Sequence, residues 1–295
     1  MTYHPEHCTL CPRRCGADRT KRVGFCKSGE RMKVARAALH FYEEPCISGK
    51  EGSGTVFFSG CSLGCVFCQN REISRGDIGK EITGEDLVRI ALSLKEQGAN
   101  NLNLVTPDHY AQEIRSALLP LKDSLGMPIA VNTSSYLSPE QLSYFEGLAH
   151  IYIADFKFFS SETAKNYASA PDYPRVCLNA ITEMVRQKGK PVYDGRGMMQ
   201  SGVIVRHLVL PGARKESIAL LQELSRRFAP DHIVLSLMSQ YTPPAGMTGH
   251  LSRRVTTFEY KSVMDVAESL GFSGYFQDRS SASDSYLPDF DLTGV

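Results

Sequence analysis

TVFFSGCSLGCVFCQN, residues 55–70, joins a short apolar run to a loop carrying three cysteines. Thr55–Ser59 mixes β-branched and aromatic residues and reads as a strand. Comparable runs recur downstream: NLNLVT (101–106), PIAVNT (128–133), IYIADFKF (151–158), VIVRHLVL (203–210) and HIVLSLM (232–238), with GYF (274–276) as a short last one. Helical patterns lie between them. In GEDLVRIALSLKEQG (84–98), Leu87, Ile90, Ala91 and Leu94 fall on one helical face and Gly98 ends the pattern. Similar stretches occupy 109–125, 138–147, 174–188, 213–228 and 257–270. Strand followed by helix, six times over, predicts parallel strands with crossover helices, in an α/β barrel or an open doubly wound sheet; the expected fold is a partial α/β barrel of about six strands whose open side admits a large substrate. In both arrangements, ligands sit at the carboxyl ends of the strands. Those ends hold Gly60–Cys68, Thr106–His109, Asn132–Ser135, Asp155–Lys157, Arg206–Pro211 and Ser239–Tyr241, nearly all polar, whereas the strand bodies are apolar.

The chain has 295 residues, enough for one sizeable core, with 42% hydrophobic and 22% charged residues. A net charge of +1 favours neither nucleic acid nor a membrane surface as partner. No apolar run approaches the roughly 20 residues of a membrane span. The start, MTYHPEHCTLCPRRC, is polar and lacks the apolar stretch of an export signal, so a cytoplasmic protein is expected. No internal repeat stands out. Three regions are expected: a Cys-rich, basic module over 1–50, the barrel over 51–280, and a Ser- and Asp-rich surface tail over 281–295.

Seven of the nine cysteines fall in two tight groups, which in a reducing compartment points to metal or iron–sulfur binding. Cys61, Cys65 and Cys68 are spaced C-x3-C-x2-C. A short loop of this kind wraps three thiolates onto three irons of a cubane and leaves the fourth iron open to an outside ligand. Gly60 and Gly64 permit the tight turn.

That spacing, with an aromatic before the last cysteine and a strand in front, resembles the radical S-adenosylmethionine (SAM) superfamily. EEPCISGKEGSGTVFFSGCSLGCVFCQNREIS (43–74) resembles the subgroup related to pyruvate formate-lyase activating enzyme, as do VTPDHY, ADFKF, RHLVLPG and SLMSQY. The resemblance implies a [4Fe–4S] cluster on Cys61, Cys65 and Cys68, the catalytic cysteines, with SAM chelating the open iron. It further implies one-electron cleavage of SAM to methionine and a 5′-deoxyadenosyl radical that abstracts hydrogen. Asp155 and Lys157 match an Asp-x-Lys pair that contacts SAM, Arg206 an arginine suited to the methionyl carboxylate, and Phe67 the aromatic beside the adenine. Asn70, Asn132 and Gln240, also at strand ends, are further candidate cofactor contacts. The superfamily's Gly-Gly-Glu motif is replaced by Leu104-Val105-Thr106-Pro107, where Thr106 offers only a neutral hydroxyl to the cofactor's amino group.

Cys8, Cys11, Cys15 and Cys26 supply four thiolates for a closed site, either a structural zinc or an auxiliary iron–sulfur cluster. Arg13, Arg14, Arg19, Lys21 and Arg22 would offset its negative charge. Cys177 reads as a small buried hydrophobe, and Cys46 is either a stray thiol or a neighbour of the cluster. His207 alternates away from Arg206 and suits a packing role, while His109 follows a strand end and faces the expected site. Glu43 and Glu44 read as a surface ion pair or as a gate to the substrate. SGKEGSGT has the wrong residue order for a phosphate loop, the Asn132 sequon has no meaning inside a cytosolic strand, and Met198–Met199 suits packing.

The leading reading is an activase-like radical enzyme acting on a protein or peptide, with flavodoxin or ferredoxin as electron donor by resemblance. A small metabolite or modified peptide is the alternative substrate. A two-cluster electron-transfer protein is the alternative of another class, though a pure carrier has no need of Asp155, Lys157 and Arg206 around a pocket.

Overall fold

The computed structural model describes residues 4–277 and 288–295. Ten strands form among the described residues: β1 (Met32–His40), β2 (Ser53–Phe58), β3 (Lys80–Ile82), β4 (Leu102–Val105), β5 (Ile129–Thr133), β6 (Ile151–Asp155), β7 (Val192–Tyr193), β8 (Met199–Leu208), β9 (Val234–Met238) and β10 (Gly274–Phe276). The sheet runs β10-β9-β8-β6-β5-β4-β2-β1-β3. From β2 to β10 the neighbours are parallel and follow chain order without reversal, which is barrel winding; a doubly wound sheet would reverse at a switch point. The two ends of the sheet stay apart, so this is a partial barrel, with seven parallel strands where about six were expected.

Alternation along each strand sorts the core into two sides. Leu104, Val131, Tyr152, Ala154, Val203, Val205 and Leu235 pack outward under the helices. Among these is Gly84–Glu96, which buries the expected Leu87, Ile90, Ala91 and Leu94 and starts in a capping box between Thr83 and Asp86. The opposite face sends Ala130, Ile151, Ile153, Ile204 and Val234 inward, where Cys46 and Ile47 pack against them. The short helix Pro45–Ser48 therefore plugs the barrel interior from below. Asn100 and Asn101 hold it by donating to the Ser48 and Ile47 carbonyls at 2.8 and 2.7 Å.

Residues 32–48, assigned by the sequence reading to the leader module, belong to the barrel: β1 pairs antiparallel with β2, and the plug sits inside. A register shift between Val34 and Arg36 breaks the alternation that would have announced β1. Part of the expected tail lies outside the described residues. Its end, 288–295, lies along β1 through Leu292 N–H to Ala35 O (3.1 Å) and Ala37 N–H to Thr293 O (2.9 Å).

The cysteine-rich segment packs on the cluster loop. Cys61 N–H donates to Cys26 O at 3.0 Å. The Arg13 guanidinium donates to Ser62 O (2.8 Å), Leu63 O (3.1 Å), Ala168 O (2.7 Å) and Ser169 O (2.5 Å). Its carbon lies 4.0 Å from the Phe25 ring centre and 5.1 Å from that of Tyr136. Contact this close explains Gly60: its φ is +91°, and a Cβ there would stand 2.1 Å from Ser28 Oγ and 2.6 Å from Cys26 O.

Candidate active site

A cavity of about 330 Å³ opens at the carboxyl ends of the parallel strands. Cys61, Cys65 and Cys68 line it, and so does every residue expected to touch the cofactor: Phe67, Asn70, Thr106, Asn132, Asp155, Lys157, Arg206 and Gln240. Residues as far apart in sequence as Cys61 and Gln240 thus share one space because all stand at, or just beyond, strand ends.

All three cysteines are free. Burial pushes the Cys61 thiol up to about 11 and the Cys65 thiol higher still. Such thiols ionise readily only against a cation, which is what cluster irons supply. Leu63 N–H already points at Cys61 Sγ from 3.4 Å, the kind of hydrogen bond that steadies a metal-bound thiolate. Among the described residues no three His, Cys, Asp or Glu side chains converge on a single ion's position. A cubane does not ask for that, since each thiolate holds a separate iron. Among buried polar atoms without hydrogen-bond partners, Ser134 Oγ belongs to a residue that lines the cavity, while Ser62 Oγ and both Asp108 carboxylate oxygens belong to residues that do not. The donor set and the unpaired Ser134 hydroxyl fit a cluster and a polar cofactor.

Lys157 Nζ lies 2.7 Å from Asp155 Oδ2. Burial would lower the Lys157 ammonium, but Asp155 and the nearby Cys65 outweigh it and hold the group above its usual range. Tyr173 fixes the pair from behind: its hydroxyl accepts from Lys157 N–H (2.9 Å) and lies 3.0 Å from the Asp155 and Ser134 carbonyls. Thr106 adopts φ +56°, a left-handed conformation that β-branched residues avoid and that concentrates at functional sites. Phe67 meets Phe158, Tyr167 and Tyr241 edge to face under the loop, and Gln240 Oε1 accepts from Gln277 Nε2 at 3.2 Å.

Glu43, Glu44 and His109 stand elsewhere than the sequence suggested, and Arg206 lines the cavity with partners it did not foresee. Arg206, expected to meet a cofactor carboxylate, is already held by Glu43 and Glu44, which are buried in the barrel, not displayed on the surface. His109 turns under the cluster loop, its Nε2 2.9 Å from Ser59 O, and does not line the cavity. Cys46 sits in the plug away from the cluster loop. As expected, His207 is buried in a packing role, its ring spanning Phe156 O (2.7 Å) and Ser217 Oγ (2.8 Å), and Cys177 is fully buried. Asp108 went unread; its carboxyl has no solvent exposure, and burial pushes it up to about 7. The only sequence signal was a carboxylate two residues beyond Thr106. Cys8, Cys11, Cys15 and Cys26 are neighbours: burial and then the other three sulfurs push the Cys11 thiol up to about 12.

A partial barrel of parallel strands, a three-thiolate loop after the first of them and a polar cavity at the strand ends together define an enzyme built around an open iron–sulfur corner. The chain belongs to the radical SAM superfamily, whose family model matches residues 55–224. Its cofactors are a [4Fe–4S] cluster and SAM. The uncharacterized protein MJ0674 of Methanocaldococcus jannaschii is 26% identical over 274 residues, 89% of this chain and 75% of the other. Among solved structures, Streptococcus suis SuiB bound to its precursor peptide SuiA matches 75% of this chain with a TM-score of 0.52 at 13% identity. Methylornithine synthase (PylB) matches 70% with a TM-score of 0.49 at 17% identity. The chain spans about half the length of these two, 48% and 58%. The SuiB likeness concerns the fold.

Proposed function

We propose that this enzyme removes a hydrogen atom from a protein or peptide substrate, in the manner of a glycyl-radical-enzyme activase. The observation that carries the reading is the single cavity shared by the three cysteines and the Asp155–Lys157 pair. When bound, the cluster and SAM supply a one-electron cleavage that yields the hydrogen-abstracting radical. The chain's own part is to hold and shield. Cys61, Cys65 and Cys68 would carry the cluster, and the Tyr173 hydroxyl keeps the Asp155–Lys157 pair aimed into the cavity. The separated sheet ends support access for a large substrate.

A small metabolite is the second reading, favoured by the cavity's size, which is at the lower end for small-molecule sites. Nine unpaired cysteines support a reducing, cytoplasmic setting, and no helix among the described residues is long and apolar enough to cross a membrane. A flavodoxin or ferredoxin is the proposed electron donor, and Cys8, Cys11, Cys15 and Cys26 a proposed second site for zinc or an iron–sulfur cluster.

The test is anaerobic reconstitution with iron and sulfide, reduction by dithionite, and assay for 5′-deoxyadenosine from SAM. Product that vanishes in the Cys61/Cys65/Cys68 triple variant supports the reading. A cluster that forms but neither responds to SAM nor yields product would favour an electron carrier.

A further inference from the structure

The floor of the cavity carries a surplus negative charge. Glu43 and Glu44 come just before the plug helix and rise into the barrel toward Arg206. Arg206 Nε donates to Glu44 Oε1 at 2.7 Å and Nη2 to Glu44 Oε2 at 2.5 Å, so Glu44 takes the guanidinium fork two-handed and neutralises it. Glu43 shares Nη2 through Oε2, and its Oε1 accepts from Asn103 Nδ2 at 2.8 Å and Asn132 Nδ2 at 3.4 Å. These ionic side chains are only 5–11% exposed. Two carboxylates on one guanidinium leave one negative charge. Adding the neighbouring Asp155–Lys157 pair gives three carboxylates and two cations, the same surplus. His40 also faces Glu43, but burial holds its imidazole below the usual range, so it does not cancel the charge near neutrality.

A second observation is independent of charge. Asn103 has no solvent exposure; its Nδ2 serves Glu43, and its Oδ1 has no partner. A buried acceptor without a donor, beside a carboxylate in surplus, is the imprint of a missing cation that carries N–H groups.

We propose that Glu43, with the Asn103 and Asn132 amides, binds a cationic nitrogen of the substrate, an ammonium or guanidinium on a flexible stem. This deepens the proposed function and rests on the cavity being the active site. Asn103 lies two residues below Val105, the end of β4, so its amide is about 6–7 Å beneath the rim that bears the cysteine loop. A cation seated there leaves its stem crossing the cavity toward the cysteines. A lysine or arginine side chain of a peptide and a free alkyl amine share this chemistry.

Calorimetry on the cluster-reconstituted protein, titrated with n-butylamine and with n-butanol at matched ionic strength, tests the site. The amine should bind at least about tenfold more tightly than the alcohol, and Glu43→Gln should erase that preference. Glu43→Gln should also raise the Tm of the amine-free protein, because it relieves the repulsion of two buried carboxylates that share one guanidinium. Equal affinities for amine and alcohol, or an amine preference that survives Glu43→Gln, would overturn the proposal. Asn103→Leu, which spares the ion pairs, should weaken the amine several-fold, and unchanged affinity would also overturn it. Saturating S-adenosylhomocysteine should leave amine binding intact; displacement would give the site to the cofactor and refute the assignment. Acetyl-Gly-Lys-Gly-amide binding at least as tightly as n-butylamine identifies a peptide source, and binding of the free amine alone a metabolite; each supports the site. Wild-type protein that binds the amine yet makes no 5′-deoxyadenosine would remove the proposed reaction while leaving the cation site standing.

Discussion

Removing the Arg13 guanidinium should loosen the cluster loop without touching a cofactor contact. Arg13 donates to two carbonyls of that loop, Ser62 and Leu63, and to two at the end of the helix Ser161–Ala168 and just past it. It is also stacked between the Phe25 and Tyr136 rings. A hydrogen bond from a charged donor contributes about 1.5–3 kcal/mol when buried, and less where water can replace it. Three of these four bonds are partly buried and one is exposed. Counting about 1 kcal/mol for each of the three and about 0.5 for the ring contacts gives roughly 3–4 kcal/mol for Arg13→Ala. Much of this should appear as local opening of the loop, by a factor of about a hundred. Arg13→Lys keeps the charge but not the planar fork, and should recover about half the free energy. The assay is the rate at which a chelator bleaches the reconstituted cluster, read by visible absorbance beside a denaturant midpoint. Bleaching within about twofold of wild type for Arg13→Ala, with an unchanged midpoint, would refute the clamp.

Cys65→Ala should abolish cluster-dependent cleavage of SAM, measured as 5′-deoxyadenosine; retained product would exclude Cys65 as a ligand. Asp155→Ala should leave iron content intact and weaken SAM binding by about tenfold or more, read by calorimetry, because the Lys157 ammonium loses its partner at 2.7 Å. Asp108 titrates near 7 when folded against 3.8 when unfolded, so its protonated form favours the fold. That stability is fully present below about pH 4 and lost as pH rises through about 7, at most about 4 kcal/mol. Asp108→Asn should remove that slope and raise the Tm at pH 8; unchanged pH dependence would count against a buried, unpaired carboxyl. Cys11→Ala should lower metal content by one site and, through the Cys26 O···H–N Cys61 bond, speed cluster bleaching. Unchanged bleaching would show the two sites to be independent.

The parallel strands were legible because their bodies are buried on both faces and so read as continuous apolar runs. The cysteine loop was legible from spacing, and the rest of the site from one topological rule, that ligands gather at strand carboxyl ends. Strands that escaped notice lack those signals. β3 and β7 are three and two residues long and largely exposed, and β1 carries a register shift through its alternation. Thr106 and Asp108 show a finer limit. The motif drew attention to a hydroxyl at the expected position, whereas the buried carboxyl stands two residues on and is brought near Thr133 and Cys61 by the short turn Asp108–Tyr110.

What stayed hidden is convergence over long stretches of chain. Glu43 and Arg206 are 163 residues apart, and Arg13 and Ala168 155 apart; composition near each suggests only surface charge. Both contacts depend on where the first fifty residues go, and that segment does two separate jobs. Its cysteine-rich part caps the cluster loop through Arg13, Cys26 and Ser28, and its second part forms β1 and the plug that lifts Glu43 and Glu44 to the cavity floor. A chain begun at Thr55 would keep the cavity-lining ends of the parallel strands and Cys61, Cys65 and Cys68. It would still lack the clamp above the loop and leave Arg206 as a buried guanidinium with neither carboxylate, a loss of about 3–5 kcal/mol by itself. The leader is therefore structurally part of the frame around the cavity, and the placement of Glu43 and Glu44 makes sense only from inside the barrel.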